Sequence, residues 1–121
     1  MTKSRFVVSA AMAGTRQHAD EVRQALLSEL ARANSQVFEV DLTNVRAMSG
    51  AFADEMAGRL LSEWHESTPS IVFLIPDDRV LWKLDRALFR RGLRGWVRKP
   101  RAKRRVAIGV PEEIAATASA V

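Results

Sequence analysis

Three stretches of this chain alternate an apolar strand-like run with an amphipathic helix-like run, and a fourth repeats the theme towards the C-terminus. Phe6–Ala10 reads as a short buried strand and Ala11–Thr15, with Gly14, as a loop. Over Gln17–Ala33 the residues Val22, Leu26, Leu30 and Ala33 form a stripe with helical period, with Ala25 beside it. Asp20 and Glu21 stand in its first turns, where acids suit the helix dipole. Val37–Leu42 is β-branched and bounded by polar turns, as a strand requires. Phe52, Met56, Leu60 and Trp64 recur four apart in Gly50–Glu66, with Ala53, Ala57 and Leu61 alongside, so this segment is a helix that buries one face. On its other side Glu55–Arg59 and Arg59–Glu63 are i,i+4 ion pairs. Gly58 weakens the helix by about 1 kcal/mol relative to Ala, which is tolerable where another group needs to approach closely.

Thr68–Ser70 is a turn around Pro69. Ile71–Ile75 is a continuous apolar run, the pattern of a central strand covered on both faces. Pro76 ends it, and Asp77 or Asp78 caps a third helix running to about Arg91. Its core face is Val80, Leu81, Leu84, Ala87 and Leu88. Gly92–Lys103 reads as a Gly- and Pro-punctuated connection, Val106–Val110 as a fourth strand, and Pro111, Glu112 and Glu113 as the opening of a short last helix. The predicted order is β-α-β-α-β-α-β-α. It implies a single α/β domain spanning 1–121, with a mostly parallel or mixed four-stranded sheet and helices packed on its faces.

At 121 residues the chain is long enough to bury a core without a staple. It has no cysteine, which excludes disulfides, thiol nucleophiles and thiolate metal sites and suits a cytoplasmic protein. No apolar run reaches the roughly 20 residues of a membrane span, and the basic start reads as a strand entering a loop rather than a signal peptide. Charge is distributed unevenly. Arg79–Arg105 holds twelve Lys or Arg residues and one acid, so it carries +11 in a chain of net +5. Such asymmetry implies an anionic partner or an acidic protein surface.

Candidate chemistry is sparse. His18 and His65 lack a sequence-local partner at ligand or triad spacing, and no Gly-rich phosphate loop or paired-Asp metal motif is present. The adjacent Asp54 and Glu55 point about 100° apart on a helix and do not form a catalytic pair. The chain is therefore expected to be non-enzymatic, with no cofactor and no metal.

The junction before the second helix is more informative. A strand ending in Asp41 and Leu42, then Val45, Ser49, Phe52, Ala53, Asp54 and Glu55, resembles the STAS-like domains, relatives of the sulfate-transporter and anti-sigma-factor-antagonist fold. The resemblance covers about 25 residues, Val37–Leu61, and is only topological elsewhere. It implies a non-catalytic regulatory module whose junction meets a regulatory ATPase or kinase, with Met48, Ser49, Gly50, Phe52, Asp54 and Glu55 at the partner surface. It also implies phosphorylation at this junction. The family motif Asp-Ser-Ser/Thr-Gly falls on Ala47, Met48, Ser49 and Gly50, so the usual acid and the usual acceptor are replaced and only Ser49 keeps a hydroxyl. Read locally, Ser49 is a helix cap and Asp41 ties down the following loop.

A second reading rests on the basic third. Trp82, Phe89, Leu93 and Trp96 are spaced as a stripe if the third helix runs on, with Arg86, Arg90 and Arg94 between them. Aromatics interleaved with Arg suit either a protein hot spot or nucleic-acid contact. Arg91, Arg98, Lys99, Arg101, Lys103, Arg104 and Arg105 extend the basic surface, making a nucleic-acid or nucleoprotein partner the alternative. Exposure of Trp82 or Trp96 would favour a homodimer.

Overall fold

The computed structural model describes residues 2–9, 12–64, 66 and 68–111. A five-stranded sheet runs in the order β1 (Lys3–Val7), β3 (Val37–Asp41), β5 (Ser70–Leu74), β6 (Arg94–Arg98), β7 (Val106–Gly109). The first four are parallel, and β7 returns antiparallel to β6. A separate parallel ladder pairs β2 (Met12–Ala13) with β4 (Ala47–Met48). The expected four strands are thus five in the main sheet. The additional one, β6, lies inside the stretch read as a connection. RGWVR alternates half-buried Arg94, Trp96 and Arg98 with buried Gly95 and Val97, a strand pattern of period two. The strand expected at Phe6–Ala10 lies earlier, at β1 (Lys3–Val7), on a sheet edge, and Lys3, Arg5 and Val7 are exposed because they alternate onto the face away from the core. Ala10 and His65, and the last helix expected from Glu112 onward, lie outside the described residues.

Between these strands run α1 (Arg16–Arg32), a continuous helical run made of α2 (Gly50–Ala53), a π-helical turn (Asp54–Gly58) and α3 (Arg59–Glu63), and then α4 (Asp78–Arg90). Thr15 caps α1 by accepting from the His18 amide at 3.1 Å. Asp77 caps α4 by accepting from the Val80 amide, also at 3.1 Å. α4 ends in a Schellman motif: the Leu93 amide reaches the Leu88 carbonyl and the Gly92 amide the Phe89 carbonyl, with Gly92 at φ +69°.

Strands β1, β3, β5 and β6 are neighbours in chain order, so every crossover steps in the same direction. Right-handed crossovers in one direction put all their helices on one face. The core reflects this. Phe38, Val40, Ile71, Phe73, Ile75, Val97 and Ile108 face Leu26 and Leu30 of α1, Phe52, Met56 and Leu60 of the second run, and Val80, Leu84 and Leu88 of α4 in one cluster. The helices expected to pack on the sheet do so from one side: among the described residues, the opposite face carries no helix. Its in-register row is Arg5, Glu39 and Val72, with Trp96 and Ala107 facing the same way. Gly95 lets α4 settle on β6, since a Cβ there would stand 2.6 Å from Leu88 Cδ1.

Candidate functional site

The β2–β4 ladder brings the loop after β1 against the loop after β3, and the junction is built on it. Ser49 takes the N-cap position of α2. Its hydroxyl accepts from the Phe52 amide at 3.0 Å and donates to the Gly14 carbonyl at 2.8 Å. Asp41 accepts from the Thr43 amide at 2.9 Å and its hydroxyl at 2.5 Å, closing the loop as its position in the sequence predicts. Gly50 is exposed, with open space where a Cβ would be. Phe52 is fully buried and its ring lies 5.6 Å from that of His18. Of the residues expected at the partner surface, the structure leaves Ser49 and Gly50 accessible, whereas Met48 and Phe52 are buried in the core cluster, a correction for Met48, whose apolar side chain packs inward and is only 7% exposed.

Asp54 and Glu55 belong to an ion-pair network joining three helical segments. Asp54 receives Arg91 at 2.7 and 3.1 Å and Arg16 at 3.2 Å. Hydrogen bonds from Arg91, aided by Arg16, hold its carboxyl below the usual aspartate value despite partial burial. Gly58 makes this reach feasible: a Cβ there would stand 2.9 Å from Arg91 Cδ. Glu55 is buried and accepts from Arg59 at 2.7 Å and from Arg16 at 3.4 Å. Arg23, which interrupts the apolar stripe of α1, is buried between Asp20 and Glu63, the latter at 2.7 Å. Asp20, expected to serve the α1 dipole, pairs with this arginine instead.

Beside the junction lies a groove of about 610 Å³. Arg46, Ala47 and Met48 form one wall, and Arg79, Val80, Trp82, Lys83, Asp85 and Arg86 of α4 the other. The outward face of α4 repeats with helical period: Arg79, Trp82 and Lys83, Arg86, then Phe89 and Arg90, all exposed. Trp82 is 66% and Phe89 57% exposed, which is unusual for rings of this size on a charged helix. Asp85, the acid in this lining, keeps its charge while accepting from the Gly109 amide at 2.7 Å, so four basic side chains face one carboxylate in the groove. Arg90 lines an adjoining hollow with Gly50, Asp54, Lys83 and Arg86. Arg46, Arg79 and Lys83 were not singled out from the sequence, although the spacing 79, 83, 86, 90 marks one helical face.

The expected stripe Trp82–Phe89–Leu93–Trp96 does not form. α4 stops at Arg90, Leu93 packs against the core, and Trp96 sits on β6 in the helix-free face of the sheet. There the Arg94 and Arg105 guanidinium carbons lie 4.7 and 4.5 Å from its ring centroid. Arg98 donates to Glu39 at 2.7 Å, while its other nitrogen reaches the carbonyls of Lys99, Pro100 and Ala102. Glu39 is 3% exposed and also accepts from Arg5 at 2.9 Å. Burial alone would raise its pKa, but hydrogen bonds from Arg98 and Arg5 hold it below the usual value. Lys99 pairs with Asp78 at 3.1 Å, and Arg101, Lys103 and Arg104 are exposed. The basic residues therefore divide between two surfaces, the α4 face and the sheet face, with Arg91 turned into the Asp54 network.

Among the described residues no group of three or more His, Cys, Asp or Glu is placed to hold a metal ion, and no helix is long and apolar enough to cross a membrane. The arrangement offers fixed cations beside exposed aromatics, which is equipment for binding. Comparisons of this chain with protein-family models, with curated proteins and with solved structures find no match.

Proposed function

We propose that this protein is a non-enzymatic, cytoplasmic, STAS-like regulatory module that binds another protein through the groove between its junction and α4. One observation carries the reading: Met48 and Val80 line the same groove as exposed Trp82, which is edged by Arg46, Arg79, Lys83 and Arg86. An apolar centre with a charged rim is the anatomy of a protein hot spot. The sign of the rim selects a partner segment with an apolar anchor between acidic residues, and cations edging the groove speed encounter more than they add affinity. The STAS-like resemblance makes a regulatory ATPase or kinase the expected partner class. Ser49 follows groove-lining Met48 in the chain without lining the groove, and its hydroxyl already serves the α2 cap. A dianion there would perturb the cap and set negative charge beside the groove's cations.

Affinity purification with the full chain tests this. Wild-type bait should retain a protein that Trp82→Glu and Gly50→Arg baits lose, with far-UV circular dichroism unchanged in both variants. Equal capture by all three would show that the groove is not the binding surface.

A further inference from the structure

We propose that the helix-free face of the sheet is a second binding site, for single-stranded nucleic acid, independent of the groove beside α4. The topology supplies the platform: one-directional crossovers leave this face without a helix among the described residues, and an open groove of about 680 Å³ crosses it. Lys3, Trp96, Arg98, Lys103, Arg104 and Arg105 line it, over a floor that includes Val37 and Val72.

Charge is arranged for a polyanion. Lys3, Lys103 and Arg104 make no ion pair with a described residue, so their charge remains available to a ligand. Arg98 holds the loop that carries Lys103 and Arg104 by bonding three of its carbonyls, and anchors that loop to the sheet through Glu39. The rim cations are thus placed by a built contact rather than left on a free loop. Glu39 is the acid within the groove lining, and its charge is matched by Arg98 and Arg5 at 2.7 and 2.9 Å.

Stacking selects the form of the polyanion. Half-buried Trp96 stands in the groove with the Arg94 and Arg105 guanidinium carbons 4.7 and 4.5 Å from its ring centroid, so an incoming base stacks on the exposed Arg105 guanidinium or takes its place on the ring. An aromatic–guanidinium platform beside a basic rim suits unpaired bases, whose faces are accessible and whose phosphates follow at regular spacing. A duplex hides those faces, and an acidic peptide, although it can pair with the cations, brings no regular row of flat bases to stack on Trp96 and Arg105.

Fluorescence anisotropy of the full chain with labelled oligothymidylate and oligouridylate, each about a dozen nucleotides long, tests the site. At about 50 mM salt the wild type should bind, with log affinity falling against log salt by about 0.7 per phosphate engaged. Trp96→Leu should weaken binding about five-fold or more. The double variant Lys103→Gln/Arg104→Gln should reduce the salt slope by about 1.4. It does not depend on Trp96 and so tests the rim even if the Leu variant is destabilised. Trp82→Ala should bind as wild type. Absence of binding at low salt would overturn the proposal. So would undiminished binding by both groove variants, or competition by duplex or polyglutamate as strong as by single strands, which would mark an unselective cationic or acidic-protein surface.

Discussion

Replacing Glu39 by Gln removes one charge at the centre of the helix-free face while keeping shape. Glu39 is 3% exposed and receives Arg98 at 2.7 Å and Arg5 at 2.9 Å. Hydrogen bonds to charged groups contribute about 1.5–3 kcal/mol each when buried. The Arg98 side chain is only 17% exposed and should carry most of the effect, whereas Arg5 is 53% exposed and is discounted for solvent screening. Gln also turns an NH2 group towards one of the two guanidinium groups. The expected loss is about 2–4 kcal/mol at neutral pH, a substantial part of the roughly 5–15 kcal/mol of a typical domain. Urea unfolding followed by tryptophan fluorescence should show a lower midpoint at unchanged slope.

The pH dependence gives the sharper control. Glu39 titrates below its ordinary value of 4.5 in the folded chain. Its stabilisation is therefore complete above the unfolded value and is lost as pH falls through the folded one. The difference between wild type and Glu39→Gln should shrink across that acid range. A difference below about 0.5 kcal/mol at pH 7, or one that does not diminish in acid, would refute the assignment of Glu39 as the charge that holds the loop.

Three further perturbations have defined outcomes. Gly109→Ala should destabilise by about 3 kcal/mol in chemical denaturation, because φ is +84° and a Cβ would stand 2.2 Å from the Leu93 carbonyl oxygen. Ser49→Ala should lose about 1 kcal/mol through the α2 cap, measurable by thermal unfolding, and an unchanged midpoint would show that the cap contributes nothing. Asp54→Asn should lose about 1 kcal/mol at neutral pH through the partly exposed Arg91 pair. As the carboxyl titrates below 3.8 when folded, that loss should vanish as acid protonates it in the wild type, which denaturation at several pH values would reveal.

Much of this fold is legible in the chain because local pattern and burial agree. The stripe Phe52, Met56 and Leu60 is wholly buried, the Glu55–Arg59 and Arg59–Glu63 pairs form, and Asp77 and Ser49 cap where capping chemistry places them. The apolar run Ile71–Ile75 is indeed fully buried at the centre of the sheet. The misread segment is Arg94–Arg98, where Gly, Pro and seven-residue aromatic spacing compete with an alternation only five residues long. Which face a helix covers depends on crossover direction and not on any local pattern, so the open sheet face is illegible without strand order. Buried Arg23, Glu39 and Glu55 are hidden for a related reason: each is tolerated inside because a charge from a distant segment meets it. At the candidate surfaces, charge sign and aromatic content are readable, whereas their partition onto two faces depends on where α4 ends.

The groove between the junction and α4 should receive a protein. Quantitative affinity purification from the native cell, after nuclease treatment, compares wild-type, Trp82→Glu and Trp96→Leu baits. A protein should be retained by wild type and by Trp96→Leu and lost by Trp82→Glu. Retention of the same proteins by Trp82→Glu, or loss of all of them on nuclease treatment, would contradict a protein-binding groove.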